Sequence, residues 1–198
     1  MLENIKKYNV ILASGSPRRR QLLEGLGVAF SQKVLQDIDE TYPDALPAEQ
    51  VAQFIAEKKS SAYLDIMGDD DLLITADTIV VVDDGNGKNV ILGKPHDFDE
   101  AARMLKMLSG RNHQVITGCC IATKSQKRSF STTTNVAFKQ LDDDEIEYYV
   151  NNFRPYDKAG AYGIQEWIGY IGVTGIDGSY FNVMGFPIQR IYTELLQF

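Results

Sequence analysis

The sequence predicts an α/β fold built on a mixed sheet with flanking helices. Three observations carry that reading. Apolar, β-branched runs alternate with segments of helical period along the whole chain. The turn-rich stretch DDGNGKNV (83–90) returns the strand pattern before it into a second one, which argues against a purely parallel sheet. The 198 residues, 44% of them hydrophobic, suffice for one sizeable domain or two small lobes sharing a core, and no repeat, low-complexity tract or long linker divides them. Residues 1–198 are therefore read as a single domain.

Each element follows from local signals. YNVILA (8–13) reads as a strand. Ser16 is a good N-cap, Pro17 a good first helical residue and Gly27 a stop, which predicts a helix over 17–26. A long helix is expected over about 48–67, with Val51, Phe54, Ile55, Lys58 and Ala62 near one face. DLLITADTIVVVDD (71–84) is a strand, and VILGKP (90–95) contains its hairpin partner. Asp97 and Glu100 open a helix that Gly110 stops. HQVITGCCIATK (113–124) and SFSTTTNVAFKQ (129–140) are strands. LDDDEIEYYVNN is a helix capped by Asp142 or Asp143, and a terminal helix begins near Pro187.

Composition narrows the function classes. The formal net charge of −7 argues against wrapping nucleic acid, which needs a broad basic face. No apolar run approaches the ~20 residues of a membrane span. The cysteines, Cys119 and Cys120, are adjacent, so neither a disulfide framework nor a metal-binding spacing exists, and a reducing cytoplasm is the expected compartment.

Against the acidic background, ASGSPRRR (13–20) stands out. A strand end, a tight turn and a helix N-terminus together favour an anion. Arg18 and Arg19 precede Leu22 and Leu23 by four residues and lean over the core-facing side, whereas Arg20 points with Glu24 into solvent. Guanidinium forks suit phosphate oxygens; the alternative, a solvated basic first turn, runs against the helix dipole. Asp77 interrupts an apolar strand and needs a partner such as a metal, a lysine or several donors; a strand-edge position or a structural hydrogen bond is the equal alternative on this residue alone. Lys94 ends the next strand, where side chains often project into a crevice, although a solvated lysine is the ordinary reading. Lys58 either snorkels or points into a site. The carboxylates of DIDET (37–41) form a solvated turn or help hold a hard cation. DKAGAYGIQ (157–165) is too glycine-rich for a helix interior and predicts a close backbone approach.

ASGSPRR, ADTIV, GKP, LSGRNHQVITG, DKAGAYGIQ and GSYFNVMGFP occur in this order over nearly the whole chain. In this the sequence resembles the Maf family of nucleoside-triphosphate pyrophosphatases. The resemblance implies a Maf fold related to the inosine-triphosphatase family, with two lobes around a cleft, commonly as a homodimer. It implies a hydrolase acting on acid anhydrides, which cleaves a nucleoside triphosphate to the monophosphate and pyrophosphate with Mg²⁺ or Mn²⁺. The family's role is house-cleaning of nucleotide pools, normal or modified, with a reported link to septum formation and cell-division arrest.

Matched motif to motif, the resemblance makes Ser14, Arg18 and Arg19 phosphate-binding and Asp77 the catalytic carboxylate and metal ligand. Lys58 takes the place of the family's helix lysine, and Lys94 that of the lysine before proline. Glu40 matches a metal-associated acid, in a loop that carries an insertion. Arg18, Thr78 and Gln165 match the three specificity positions of the dTTP/UTP branch, where the 7-methyl-GTP branch has Trp, Gln and Glu. The 7-methyl-GTP specificity is the alternative within enzymes. The alternative outside them is a non-enzymatic nucleotide-binding regulator of septum formation.

Overall fold

The computed structural model describes residues 2–198. Strand β1 (Asn9–Leu12) leads into helix α1 (Pro17–Gly25), with Ser16 as N-cap accepting from the Arg19 amide. A two-residue strand, β2 (Ser31–Gln32), follows. Helix α2 (Ala48–Ser61) ends earlier than its sequence pattern suggests, and the residues beyond it form a short 3-10 turn, Leu64–Ile66. Next come β3 (Asp71–Asp83), its antiparallel hairpin partner β4 (Asn89–Leu92), and α3 (Phe98–Leu108), capped by Asp97. Strands β5 (Asn112–Ala122) and β6 (Lys127–Phe138) precede α4 (Asp143–Phe153), whose capping box pairs Asp142 with Glu145. The glycine-rich region folds into α5 (Trp167–Gly172), β7 (Val173–Asp177) and α6 (Tyr180–Val183), none of which has a distinct sequence signal. The chain closes with α7 (Ile188–Leu195).

The strands form one mixed, twisted sheet in the order β2-β1-β3-β5-β6-β7, with β4 hydrogen-bonded to β3. Strands β1 and β3 are parallel, with Leu12 opposite Ile74. Two compact units share these elements. The first runs to Asp77 and takes in Thr117–Thr132 and Gly185–Phe198; the second comprises Thr78–Ile116 and Thr133–Met184. Both are discontinuous in sequence, because β3, β5 and β6 each supply residues to both.

Each unit has its own core. In the first, Leu12, Leu23, Leu72, Ile74, Cys119, Ile121, Phe186, Ile191 and Leu195 are buried together. A smaller cluster there joins Tyr63, Met67 and Leu73. Also in the first unit, a Cβ on Gly118 of β5 would lie 2.2 Å from the Ala52 carbonyl carbon and the Gln53 nitrogen of α2. Glycine at 118 and alanine at 52 and 56 therefore let the helix backbone rest directly on the strand. In the second unit, Val80, Val82, Leu105, Leu108, Val136, Tyr149 and Ile168 pack between strands and helices. Among the described residues no helix is long and apolar enough to cross a membrane.

Candidate active site

The first unit assembles a charged cluster at the end of β1 and in the middle of β3. In parallel register the Ala13 amide donates to the Ile74 carbonyl at 2.9 Å. Ser14, just past the end of β1, is 7% exposed. Its hydroxyl accepts from the Ser16 amide and from Arg19 Nη1, both at 3.3 Å. Arg19 Nη1 also donates to the Ala76 carbonyl, and Arg19 Nε to the Gly185 carbonyl, each at 2.8 Å. Burial lowers the Arg19 pKa, and the nearby Asp77 carboxylate opposes that shift. The fork that the sequence offers to phosphate thus ties α1 to β3, one residue before Asp77. Arg18 is partly buried. Arg20 is exposed and pairs with Glu24 at 3.5 Å, as its helical position predicts.

Asp77 is met by a lysine, but the one next to the sequence candidate. Thr75 and Asp77 share a face of β3, two residues apart. The Thr75 hydroxyl donates to the Ala56 carbonyl of α2 at 2.7 Å. Three residues further along that helix face, Lys59 Nζ reaches Asp77 Oδ1 at 2.8 Å and Glu40 Oε1 at 3.0 Å. The Lys59 and Asp77 side chains are 13% and 12% exposed. Lys58 instead pairs with Asp39 at 2.6 Å and donates to the Thr41 carbonyl at 2.9 Å. That cation and the Thr41 amide hold the Asp39 carboxyl well below its ordinary range. The predicted helix face is corrected accordingly. Val51, Ala52, Ile55, Ala56 and Ser60 are buried, while Phe54 is 37% exposed. Lys59 follows Ile55 by four and Ala56 by three, which puts it on the inward side. The small residues at 52 and 56 were the signal for that side.

The second unit holds the remaining sequence candidates. Thr78, directly after Asp77 in β3, is partly buried, and Lys94 is exposed in the loop after β4. The Gly93 carbonyl accepts from the Gly160 amide at 3.0 Å, joining the GKP loop to DKAGAYGIQ. Gly160 has φ +68°, and a Cβ there would lie 2.8 Å from Val80, which is the close approach the glycines predict. Gln165 is partly buried, and its side-chain oxygen is buried with no hydrogen-bond donor among the described residues. A buried acceptor of this kind is costly unless a ligand satisfies it.

The model for Maf-like proteins matches residues 9–198, and the chain belongs to the Maf family. Among its relatives, a dTTP/UTP pyrophosphatase of Phocaeicola vulgatus is 57% identical over 98% of each chain. One of Parabacteroides distasonis is 54% identical over the full length of both, and one of Flavobacterium johnsoniae 44% identical over 98% of this chain and 96% of that one. A solved nucleoside-triphosphatase / dITP/XTP pyrophosphatase from Mycobacterium abscessus aligns with 94% of this chain and 93% of its own at 12% identity and a TM-score of 0.41.

Proposed function

We propose that this chain, as a single Maf domain, hydrolyses dTTP and UTP to the nucleoside monophosphate and pyrophosphate. The observation that carries the chemistry is Asp77, a carboxylate in a buried strand, held at 2.8 Å by Lys59. The full-length relatives named for that reaction support the substrate. Asp77 and Glu40 are hard oxygen donors gathered on the Lys59 ammonium, and they are the residues that would hold Mg²⁺ or Mn²⁺. Among the described residues no group of three His, Cys, Asp or Glu is gathered for a metal. When bound, the cation supplies charge neutralisation at the phosphates and a more acidic attacking water.

The protein groups do the rest. Asp77 orients the attacking water and accepts its proton. Lys59, in the role the sequence assigns to Lys58, fixes Asp77 and offsets negative charge as the α-phosphorus is attacked. Arg18 and Ser14 stabilise the phosphates, and Lys94 of the second unit keeps the phosphate role that the family resemblance gives it. Arg19 acts by holding Ser14 and the Ala76 carbonyl in place. Gln165 reads the base: its orphaned oxygen takes the pyrimidine N3–H, and its amide nitrogen donates to the neighbouring carbonyl. Thr78 and Arg18 complete the specificity set. The two free thiols are buried, which suits a cytoplasmic enzyme, and a homodimer is carried over from the family.

A panel of nucleoside triphosphates, incubated with Mg²⁺ in ¹⁸O-labelled water, tests the reading. Cleavage of dTTP and UTP with label in the monophosphate is expected, and Asp77→Asn should abolish turnover while leaving the fold intact. Preferential cleavage of 7-methyl-GTP would move the chain to the other branch. Binding without turnover would make it a regulator.

A further inference from the structure

The second unit buries a cation that the reaction does not use. Lys158 is 7% exposed, and its Nζ lies 2.7 Å from Asp157 Oδ1 and 3.0 Å from Glu166 Oε1. The other oxygen of Glu166 accepts from the hydroxyl of Tyr149, a side chain buried completely in the core. The Tyr149 oxygen in turn accepts from the Gly163 amide at 3.0 Å. Gly163 and Glu166 are also joined by a backbone bond of 3.0 Å from the Glu166 amide to the Gly163 carbonyl. Residues 163–166 are thus a turn fastened at both ends, with Gln165 inside it.

Space in that turn is as restricted as its bonding. A Cβ on Gly163 would lie 2.9 Å from Gln165 Nε2 and from the Glu166 carboxyl carbon. Gln165's backbone carbonyl is held as well, by the Tyr170 hydroxyl at 2.8 Å. Burial, reinforced by Glu166, holds Tyr149 far above the ordinary phenol range, so it stays a neutral donor to the carboxylate. The turn that carries the unsatisfied Gln165 oxygen is thus held from the buried side by bonds among Lys158, Glu166 and Tyr149.

We propose that the Lys158–Glu166–Tyr149 relay positions the Gln165 amide and thereby sets the selectivity for the base. This rests on the reading that Gln165 recognises the base. The relay residues are positioning residues and touch no substrate. A flexible Gln165 would still meet a pyrimidine, but it would also rotate to suit other edges. Loosening the relay should therefore lower discrimination more than phosphate chemistry.

The test compares kcat/KM for dTTP and dGTP in wild type, Tyr149→Phe, Glu166→Gln and Gln165→Ala, each with Mg²⁺ and each checked for its unfolding midpoint. Tyr149→Phe removes the link between the carboxylate and Gly163; Glu166→Gln keeps the shape and removes the charge, and decides the matter if the first variant does not fold. The dTTP-to-dGTP ratio is expected to fall about tenfold or more in either variant, mostly through dTTP, whereas general structural damage would lower both substrates alike. In a Gln165→Ala background, Tyr149→Phe should change the ratio no further, since the relay acts through Gln165. The proposal is overturned if Gln165→Ala collapses the ratio while the folded relay variants keep it within threefold of wild type. If Gln165→Ala itself leaves the ratio unchanged, the base-reading role of Gln165 fails, and the relay's with it.

Discussion

Neighbouring lysines in α2 give the clearest separation of catalytic from surface chemistry. Lys59→Met removes the ammonium shared by Asp77 and Glu40 while keeping the length of the stem. Asp77 is 12% exposed on its side chain, so losing Lys59 leaves a nearly buried carboxylate without its bonded cation, with only the nearby Arg19 guanidinium to offset its charge. Breaking such a pair costs about 3–5 kcal/mol of stability. Removing a group that stabilises developing charge costs a further factor of about 10²–10³ in kcat. Lys58→Met breaks a contact with Asp39, which is 61% exposed, and solvent screens a pair of this kind to a small contribution. Pyrophosphate release from dTTP at saturating Mg²⁺ should therefore fall by two to three decades, roughly, in Lys59→Met and by less than about fivefold in Lys58→Met. Thermal unfolding of both variants separates lost folding from lost chemistry. A Lys58 variant impaired more than the Lys59 variant would refute the assignment of Lys59 to the carboxylate.

Other consequences follow from single contacts. Gly118→Ala forces a methyl against the α2 backbone, and overpacking of about 3 kcal/mol should lower Tm by roughly 6–12 °C; an unchanged Tm would mean that strand and helix separate easily. Arg19→Ala should lose both stability and activity because it unties Gly185 and Ala76, whereas Arg20→Ala should stay within about 0.5 kcal/mol of wild type; equal sensitivity would contradict their placement. Burial lowers His113 from 6.5 to about 4, so the unfolded chain takes up a proton first as pH falls. Stability should drop between about pH 6.5 and 4, by up to about 3 kcal/mol from this group, and His113→Gln should flatten the slope seen in urea titrations across that range.

The parts of the fold legible in the sequence are those fixed by contacts close along the chain. Ser16 and Asp97 cap their helices through bonds to residues three further on. The 83–90 turn closes β3 on β4, and Arg20 finds Glu24 one turn away. Strand β2 is two residues long, and β7 is interrupted by Gly175, so neither has enough period to register. Helices α5 and α6 are six and four residues long and sit among glycines, where propensity favours no helix.

The site divides along the same line. Asp77 is visible because a lone carboxylate in an apolar strand demands a partner, and that demand is local. The identity of the partner is not local. Choosing between Lys58 and Lys59 means knowing which side of α2 faces β3, and adjacent helix positions differ by about 100° around the axis. The apolar stripe misleads, because Phe54 looks like core and is 37% exposed. The true side is marked by absence of bulk: alanine at 52 and 56 on the helix, glycine at 118 on a strand more than sixty residues later. Small residues carry almost no hydrophobic period, so a pattern search passes over them. Their information lies in the complementarity of two surfaces, and that complementarity brings Lys59 within 2.8 Å of Asp77.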